Sequence, residues 1–287
     1  MDLALVTFPP VTDHTHTVVF LHGRGGTAKS LASSLHSSPT SQGLSLPAAF
    51  PSFRWVFPQA RYSHRAANPI ELVSQWFDVW NVRDFSDREE LQAEGLRESV
   101  AIIRRLLHDE AQLLGGRWDK IVLAGISQGA ATAMHTFFNL RVPTPDDADH
   151  TANADRDGDV DMDTSPAGVA NRPKSVPRLG AVVGFSCRIP FPGGTLAEKR
   201  QLLNLDNVPD DNEVIRNTPV LLEHCADDPL IMVDLGRDLV DQLKGYGAAV
   251  TWKEYPDGGH WFNWPTGMDD VVEFLHRELR LGEELRT

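Results

Sequence analysis

Ile121–Val122–Leu123–Ala124–Gly125–Ile126–Ser127–Gln128–Gly129 decides how the rest of this 287-residue chain is read. A short apolar run closes on Gly-x-Ser-x-Gly, and Ala130–Ala131–Thr132–Ala133–Met134 continues with helical character. Strand, tight turn and helix in that order hold a serine at the tip of a sharp bend, as a nucleophile elbow requires. The bend strains the serine backbone, so its neighbours must lack bulky side chains, and Gly125 and Gly129 meet that need.

Outward from this stretch, strand-like and helix-like segments alternate. Thr17–Val18–Val19–Phe20–Leu21, Phe53–Phe57, Ile121–Ala124, Leu179–Phe185, Pro219–Glu223 and Ala249–Tyr255 are short, apolar and bounded by glycine, proline or polar residues, the pattern of buried strands. Leu96, Val100, Ile103, Leu107 and Leu114 follow helical spacing, with Ser86-x-x-Glu89 as an expected capping box and Gly115–Gly116 as the stop. Leu235, Leu239 and Leu243 mark a helix that ends at Gly245, and Met268, Val271, Val272, Leu275 and Leu279 mark the last one. Continuous apolar strands between amphipathic helices predict an α/β fold, with a mostly parallel central sheet and helices on both faces. No internal repeat is evident, and the whole of 1–287 is expected to form one domain.

The segment from about 143 to 177 departs from this alternation. It is rich in Asp, Pro, Ser, Thr and Asn, and buries too little to offset its chain entropy, so it is expected to be a flexible, disordered insertion. Eight aspartates against Arg156 between Asp146 and Asp163 hold more than half of the net charge of −13. The acidity is therefore mostly local. It argues against a nucleic-acid partner and says little about the substrate. Asn153-x-Asp155-x-Asp157–Gly158 resembles part of a calcium loop, but Thr164 stands where a bidentate Glu is needed and no flanking helices are evident, so disorder is the preferred reading.

No apolar run approaches the ~20 residues that cross a bilayer, and Met1–Val6 lacks the basic start of a signal peptide. Cys187 and Cys225, the two cysteines of the chain, are too few for a disulfide framework, so a reduced, cytoplasmic protein is expected.

A serine hydroxyl needs a base to attack at neutral pH, and the base needs an acid to hold it. His260 follows the apolar run Ala249–Tyr255 in the loop Pro256–Asp257–Gly258–Gly259 and is the candidate base, the alternative being a surface-loop histidine. Asp227 and Asp228 follow the run Pro219–Glu223 and are both candidate acids. Either is also suited to capping a helix after Pro229. Two N–H groups must face the developing oxyanion. Gln128, next to the serine, offers one. Arg24, in His22–Gly23–Arg24–Gly25–Gly26 after the first apolar run, offers the other. That glycine-rich loop lacks the spacing of a phosphate-binding loop.

With these residues in place, the chain resembles the phospholipase/carboxylesterase branch of the α/β-hydrolases, which includes the acyl-protein thioesterases. Phe20–Leu21–His22–Gly23 resembles the family's oxyanion motif, Trp76–Phe77–Asp78 its Trp-Phe-Asp segment, and Gly125–Ile126–Ser127–Gln128–Gly129 its Gly-x-Ser-Gln-Gly elbow. Gly184–Phe185–Ser186–Cys187 resembles its Gly-x-Ser-Cys or Gly-x-Ser-Gly strand end, Asp228–Pro229–Leu230 its Asp-Pro-x, and Gly259–His260 its catalytic histidine. The resemblance implies an α/β-hydrolase fold with Ser127, Asp228 and His260 as catalytic residues and Asp228 preferred over Asp227. It implies hydrolysis of acyl esters or thioesters, palmitoyl-protein above all, without metal or organic cofactor. A carboxylesterase for small esters and a ligand-binding relative without catalysis are the alternatives. The expected partners are an acyl ester or an acylated protein, with no nucleic acid and no stable membrane insertion. Trp76, Phe77 and Trp261 are the expected lining of an acyl pocket, with Trp55, Trp80, Phe262 and Trp264 as further aromatic candidates. The chain departs from the family at Gly26, where an acidic residue is frequent, and over Arg188–Asn217, where the lid and acyl channel are expected.

Overall fold

The computed structural model describes residues 3–143 and 176–281. The acidic insertion and the calcium-loop reading therefore lie outside the described residues, apart from the flanks of the insertion at 143, 176 and 177. Among the described residues the strands are β1 (Leu5–Phe8), β2 (His16–Leu21), β3 (Phe53–Pro58), β4 (Tyr62–Arg65), β5 (Asn68–Ser74), β6 (Ile121–Ile126), β7 (Ala181–Phe185), β8 (Pro219–Cys225) and β9 (Ala249–Tyr255). The helices are α1 (Ala28–His36), α2 (Leu46–Ala49), α3 (Gln92–Leu113), α4 (Gln128–Phe138), α5 (Leu196–Leu203), α6 (Glu213–Asn217), α7 (Val233–Gly245) and α8 (Thr266–Glu278).

Seven strands form one sheet in the order β1-β3-β2-β6-β7-β8-β9. β1 runs antiparallel to β3 at one edge, and every other pairing is parallel. Every residue of β2, β6 and β7 is buried, which is why these strands read as unbroken apolar runs. Alternate side chains feed two cores. Val18, Phe20, Val122, Ala124 and Phe185 pack under α1 and α8, while Val19, Leu21, Leu123 and Val182 pack under α3, α4 and α7. Full burial of each such side chain contributes roughly 1.5–3 kcal/mol. β4 and β5 pair separately as an antiparallel hairpin. No helix among the described residues is long and apolar enough to cross a membrane.

Four local expectations change. Ala249–Tyr255, read as a buried strand, is the sheet's edge strand β9, and only Tyr255 in it is buried. The strand read from Leu179 begins at Ala181, because the Leu179 N–H turns aside to the Thr218 hydroxyl. The capping box at Ser86 does not form. Arg88 sits in the left-handed region (φ 52°) with its guanidinium 4.0 Å above the Trp80 ring, and a 3₁₀ turn over Glu89–Leu91 leads into α3. The Ser86 hydroxyl bonds Asp84 instead, and the Glu89 carboxylate takes the Phe191 N–H. β1 and the β4–β5 hairpin lie where no strand was expected. Both are largely solvent-facing, so they lack the apolar run that marks the inner strands.

Parallel pairing has one consequence for function. The carboxyl ends of β2, β6, β8 and β9 lie on the same edge of the sheet, and the loops that leave them carry His22–Gly26, Ser127, Asp228 and His260. Ligands of open parallel sheets bind at that edge.

Candidate functional site

Ser127 leaves β6 with φ 55° and ψ −123°, a conformation that L side chains rarely adopt. The turn closes because its two flanking glycines have no Cβ. A Cβ on Gly125 would stand 2.6 Å from the Ala130 nitrogen, and one on Gly129 would collide with the Leu21 and His22 carbonyl oxygens. The bend aims the Ser127 hydroxyl across the edge of the sheet, where His260 Nε2 lies 2.8 Å away. On the other side of the ring, His260 Nδ1 stands 2.7 Å from Asp228 Oδ2. A carboxylate can only accept, so Nδ1 carries the proton and Nε2 offers its lone pair to the serine hydroxyl. The structure thus brings together all three residues read from the motifs, from positions 133 and 32 residues apart in sequence.

Asp228 is buried, and its loop wraps around it. Oδ1 accepts the N–H groups of Leu230 and Ile231, at 2.8 and 2.9 Å. Burial alone would raise the carboxyl. Hydrogen bonds from His224, His260 and these two N–H groups outweigh it and hold the group well below the usual carboxylate range. Asp228 therefore remains an anion facing His260. Neither aspartate caps α7, whose N-cap is Met232. The Asp227 carboxylate takes the Gly259 N–H at 2.8 Å and fastens the loop that carries His260. The two candidate acids thus divide the work: one meets the ring and the other holds its loop.

Of the two N–H groups assigned to an oxyanion, Gln128 begins α4, where no intrahelical carbonyl can reach its N–H. In the other loop, the Gly25 N–H is taken by the Ser74 carbonyl and the Gly26 N–H by that of Gly23, while the Arg24 N–H has no acceptor among the described residues. His22 braces this loop. Its Nδ1–H donates to the Gly23 carbonyl at 2.8 Å, and its Nε2 accepts the Ala60 N–H at 3.0 Å. Burial lowers its pKa, and the Gly23 bond only partly offsets this, so His22 stays neutral and both bonds persist. Arg24 Nε donates to Gln75, which fixes the side chain of this loop residue.

The cavity above Ser127 holds about 360 Å³. Phe77, Val79, Val82, Phe85, Leu230, Ile231, His260 and Trp261 are among the residues that line it. Phe77 and Trp261 thus lie where the sequence reading put them, but Trp76 does not line the cavity. It is buried behind the wall, with Nε1–H donating to the His22 carbonyl at 2.7 Å and its backbone N–H donating to Gln128 Oε1 at 2.9 Å. An indole with a buried donor is held by the partner that satisfies it. Gln128 Nε2 also donates to the Phe77 carbonyl, so this one side chain ties the elbow to the pocket wall. Trp55 and Phe262 belong to the core, Trp80 lies beneath Arg88, and Trp264 is exposed away from the cavity. From the segment 188–217, Arg188 alone reaches this cavity.

The family model described as Phospholipase/Carboxylesterase matches residues 4–144 and 169–279. Acyl-protein thioesterase 1 of Gibberella zeae is 26% identical over 280 residues, 96% of each chain. A protein of Oryza sativa subsp. japonica, named as a probable inactive carboxylesterase, is 26% identical over 270 residues, 92% of this chain and 87% of its own. Among solved structures, Zea mays acyl-protein thioesterase 2 superposes with a TM-score of 0.64, covering 96% of this chain and 99% of that one at 23% identity, a likeness of fold.

Proposed function

The chain belongs to the phospholipase/carboxylesterase family, and from that premise we propose that it is a serine hydrolase cleaving acyl esters or thioesters through an acyl-enzyme. The observation that carries this reading is the unbroken relay Ser127–His260–Asp228, with contacts of 2.8 and 2.7 Å, opening on an apolar cavity. Ser127 Oγ attacks the acyl carbonyl while His260 Nε2 takes its proton. Asp228, held as an anion, stabilises the imidazolium that forms. The Arg24 and Gln128 N–H groups receive the oxyanion. His260 then hands its proton to the leaving oxygen or sulfur, and the acyl group stays on Ser127. Water, activated by the same ring, releases the acid. This chemistry needs no metal and no organic cofactor.

The preferred substrate class is that of the acyl-protein thioesterases, which are among the relatives along nearly the full chain. A small-ester carboxylesterase is the second reading. It is favoured by a cavity of about 360 Å³ that meets a charged residue, Arg188. A binding protein without catalysis is the remote third. A single domain in the cytoplasm completes the proposal.

The test is Ser127→Ala. Hydrolysis of p-nitrophenyl and acyl-thioester substrates should fall on the order of 10⁶-fold in kcat, the effect of deleting the nucleophile of such a relay. A fluorophosphonate probe should label the parent chain at Ser127 and leave the variant unlabelled. A parent chain that neither turns over esters nor reacts with the probe would place it with the relative named as inactive.

A further inference from the structure

Arg188 follows the Ser186–Cys187 bend after β7 and lines the same cavity as Ser127. Its side chain is 8% exposed, an unusual position for a cation. The guanidinium lies 3.9 Å over the Phe85 ring, and one of its nitrogens donates to Gln92 Oε1 at 2.8 Å. Glu89 Oε1 is 3.9 Å away, beyond hydrogen-bonding range, and already accepts the Phe191 N–H. Burial lowers the guanidinium to about 10, with Glu89 and Cys187 opposing, so it is a cation at neutral pH.

A guanidinium carries five N–H donors in a planar fork. One bond to Gln92 leaves most of them without an acceptor among the described residues. None of its nitrogens is sealed away without a partner, so the unused donors meet open space, and the open space here is the cavity. A plain methylene chain that reached this point would strip water from those donors and give nothing in return. A carboxylate would engage two of them at once, the geometry for which the fork is best suited.

The direction of the chain follows from the proposed hydrolysis, on which this inference rests. The leaving group must lie against His260, which gives it the proton. Arg188 is anchored elsewhere, through Phe85 and Gln92 where the chain leads into α3, so the acyl chain, which points away from His260, is the part of the substrate that meets it. We infer that Arg188 is a specificity-determining residue that receives a carboxylate at the far end of the acyl chain, so that, among esters and thioesters of equal chain length, those of dicarboxylic acids are favoured over those of plain fatty acids.

Calorimetry on the Ser127→Ala protein, which binds without cutting, tests this independently of turnover. Monomethyl adipate should bind at least tenfold more tightly than methyl hexanoate. Arg188→Met in the same background should abolish the difference, and Arg188→Lys, which keeps the charge and loses the fork, should retain part of it. Equal affinity of the Arg188 protein for the two esters, or tighter binding of methyl hexanoate, overturns the assignment, whether or not Arg188→Met folds. So does a preference confined to a carboxylate on the alcohol side, read as 6-acetoxyhexanoate against hexyl acetate. In the active protein, kcat/KM for adipoyl and hexanoyl monothioesters should follow the same ratio. Absence of turnover on both would refute the hydrolase reading while the calorimetry still decides on Arg188.

Discussion

His224 Nε2 lies 3.3 Å from Asp228 Oδ2, the same carboxylate oxygen that holds His260. Both side chains of this contact are fully enclosed. His224 Nε2 is also 2.8 Å from the Ile231 carbonyl, which can only accept, so this nitrogen carries the proton and shares it between the carbonyl and the carboxylate. Two histidines thus grip one oxygen. His260 faces the substrate, while His224 faces the interior and never meets it.

This makes His224 a positioning residue. His224→Ala should leave Ser127 and His260 in place but free the Asp228 carboxylate to turn. We expect kcat to drop roughly tenfold, about 1.4 kcal/mol of barrier, with KM nearly unchanged. The check is the split between kcat and KM in the purified variant, with the melting temperature measured beside it. A KM change as large as the kcat change would mean that the residue shapes the pocket rather than the relay.

Asp228→Asn keeps the size of the side chain and removes the charge that stabilises the imidazolium. The amide can also present its NH₂ to the ring, which inverts the tautomer that Ser127 needs. Ester turnover should fall about 10⁴-fold, the effect known for this exchange in serine triads. The folded protein holds Asp228 below the usual carboxylate range, so this group contributes stability above the ordinary carboxylate value and loses it as pH falls through the folded value. Acid unfolding of the variant should therefore be shallower than that of the parent. Identical acid-unfolding curves would contradict the linkage.

Gln128→Ala removes two ties at once, the acceptor for the Trp76 N–H and the donor to the Phe77 carbonyl. Each buried group left unpaired costs about 1–3 kcal/mol. The melting temperature should drop by several degrees, and substrate binding should weaken because Phe77 forms part of the wall. Denaturation of the parent and the variant, with KM measured beside it, checks both effects.

The elbow and the inner sheet were legible because strands buried on both faces must be apolar throughout, as β2, β6 and β7 are. Ser127 and Asp228 were legible because each follows a largely buried strand, whereas His260 follows β9, a partly exposed edge strand, and was legible from the glycine-rich loop that carries it. The β4–β5 hairpin was not, since Ile70 and Leu72 stand 91% and 54% exposed and carry no burial pattern. The work of Trp76, Gln128 and His224 was hidden for a different reason. The partners of Trp76 and Gln128 come from distant loops, 54 residues away for Trp76 and His22, and no local spacing encodes those meetings, while those of His224 lie only four and seven residues on and meet it because the chain turns back after β8. Arg188 lies in the segment that departs from the family pattern, and its meaning depends on Phe85 and Gln92, about a hundred residues earlier in the chain.

Glu223 supplies the last prediction. It lies on β8, 3% exposed, and neither of its carboxyl oxygens has a hydrogen-bond partner among the described residues. The nearby Tyr255 hydroxyl donates to Asp270 instead, and Lys253 also pairs with Asp270. Burial, reinforced by the Asp270 charge and only partly opposed by Tyr255 and Lys253, raises the carboxyl well above its usual range, so Glu223 is folded as the neutral acid. An acid whose folded value is raised keeps its proton in the folded state and loses it on unfolding. Stability therefore falls as pH rises above the unfolded value of about 4.3, by up to about 1.4 kcal/mol per pH unit until the folded value is reached. Glu223→Gln replaces the neutral acid with a neutral amide of the same shape and removes this penalty. The melting temperature of the variant relative to the parent should be clearly more favourable at pH 8 than at pH 5. A difference that stays constant between those pH values would show that Glu223 is ionised in the folded chain.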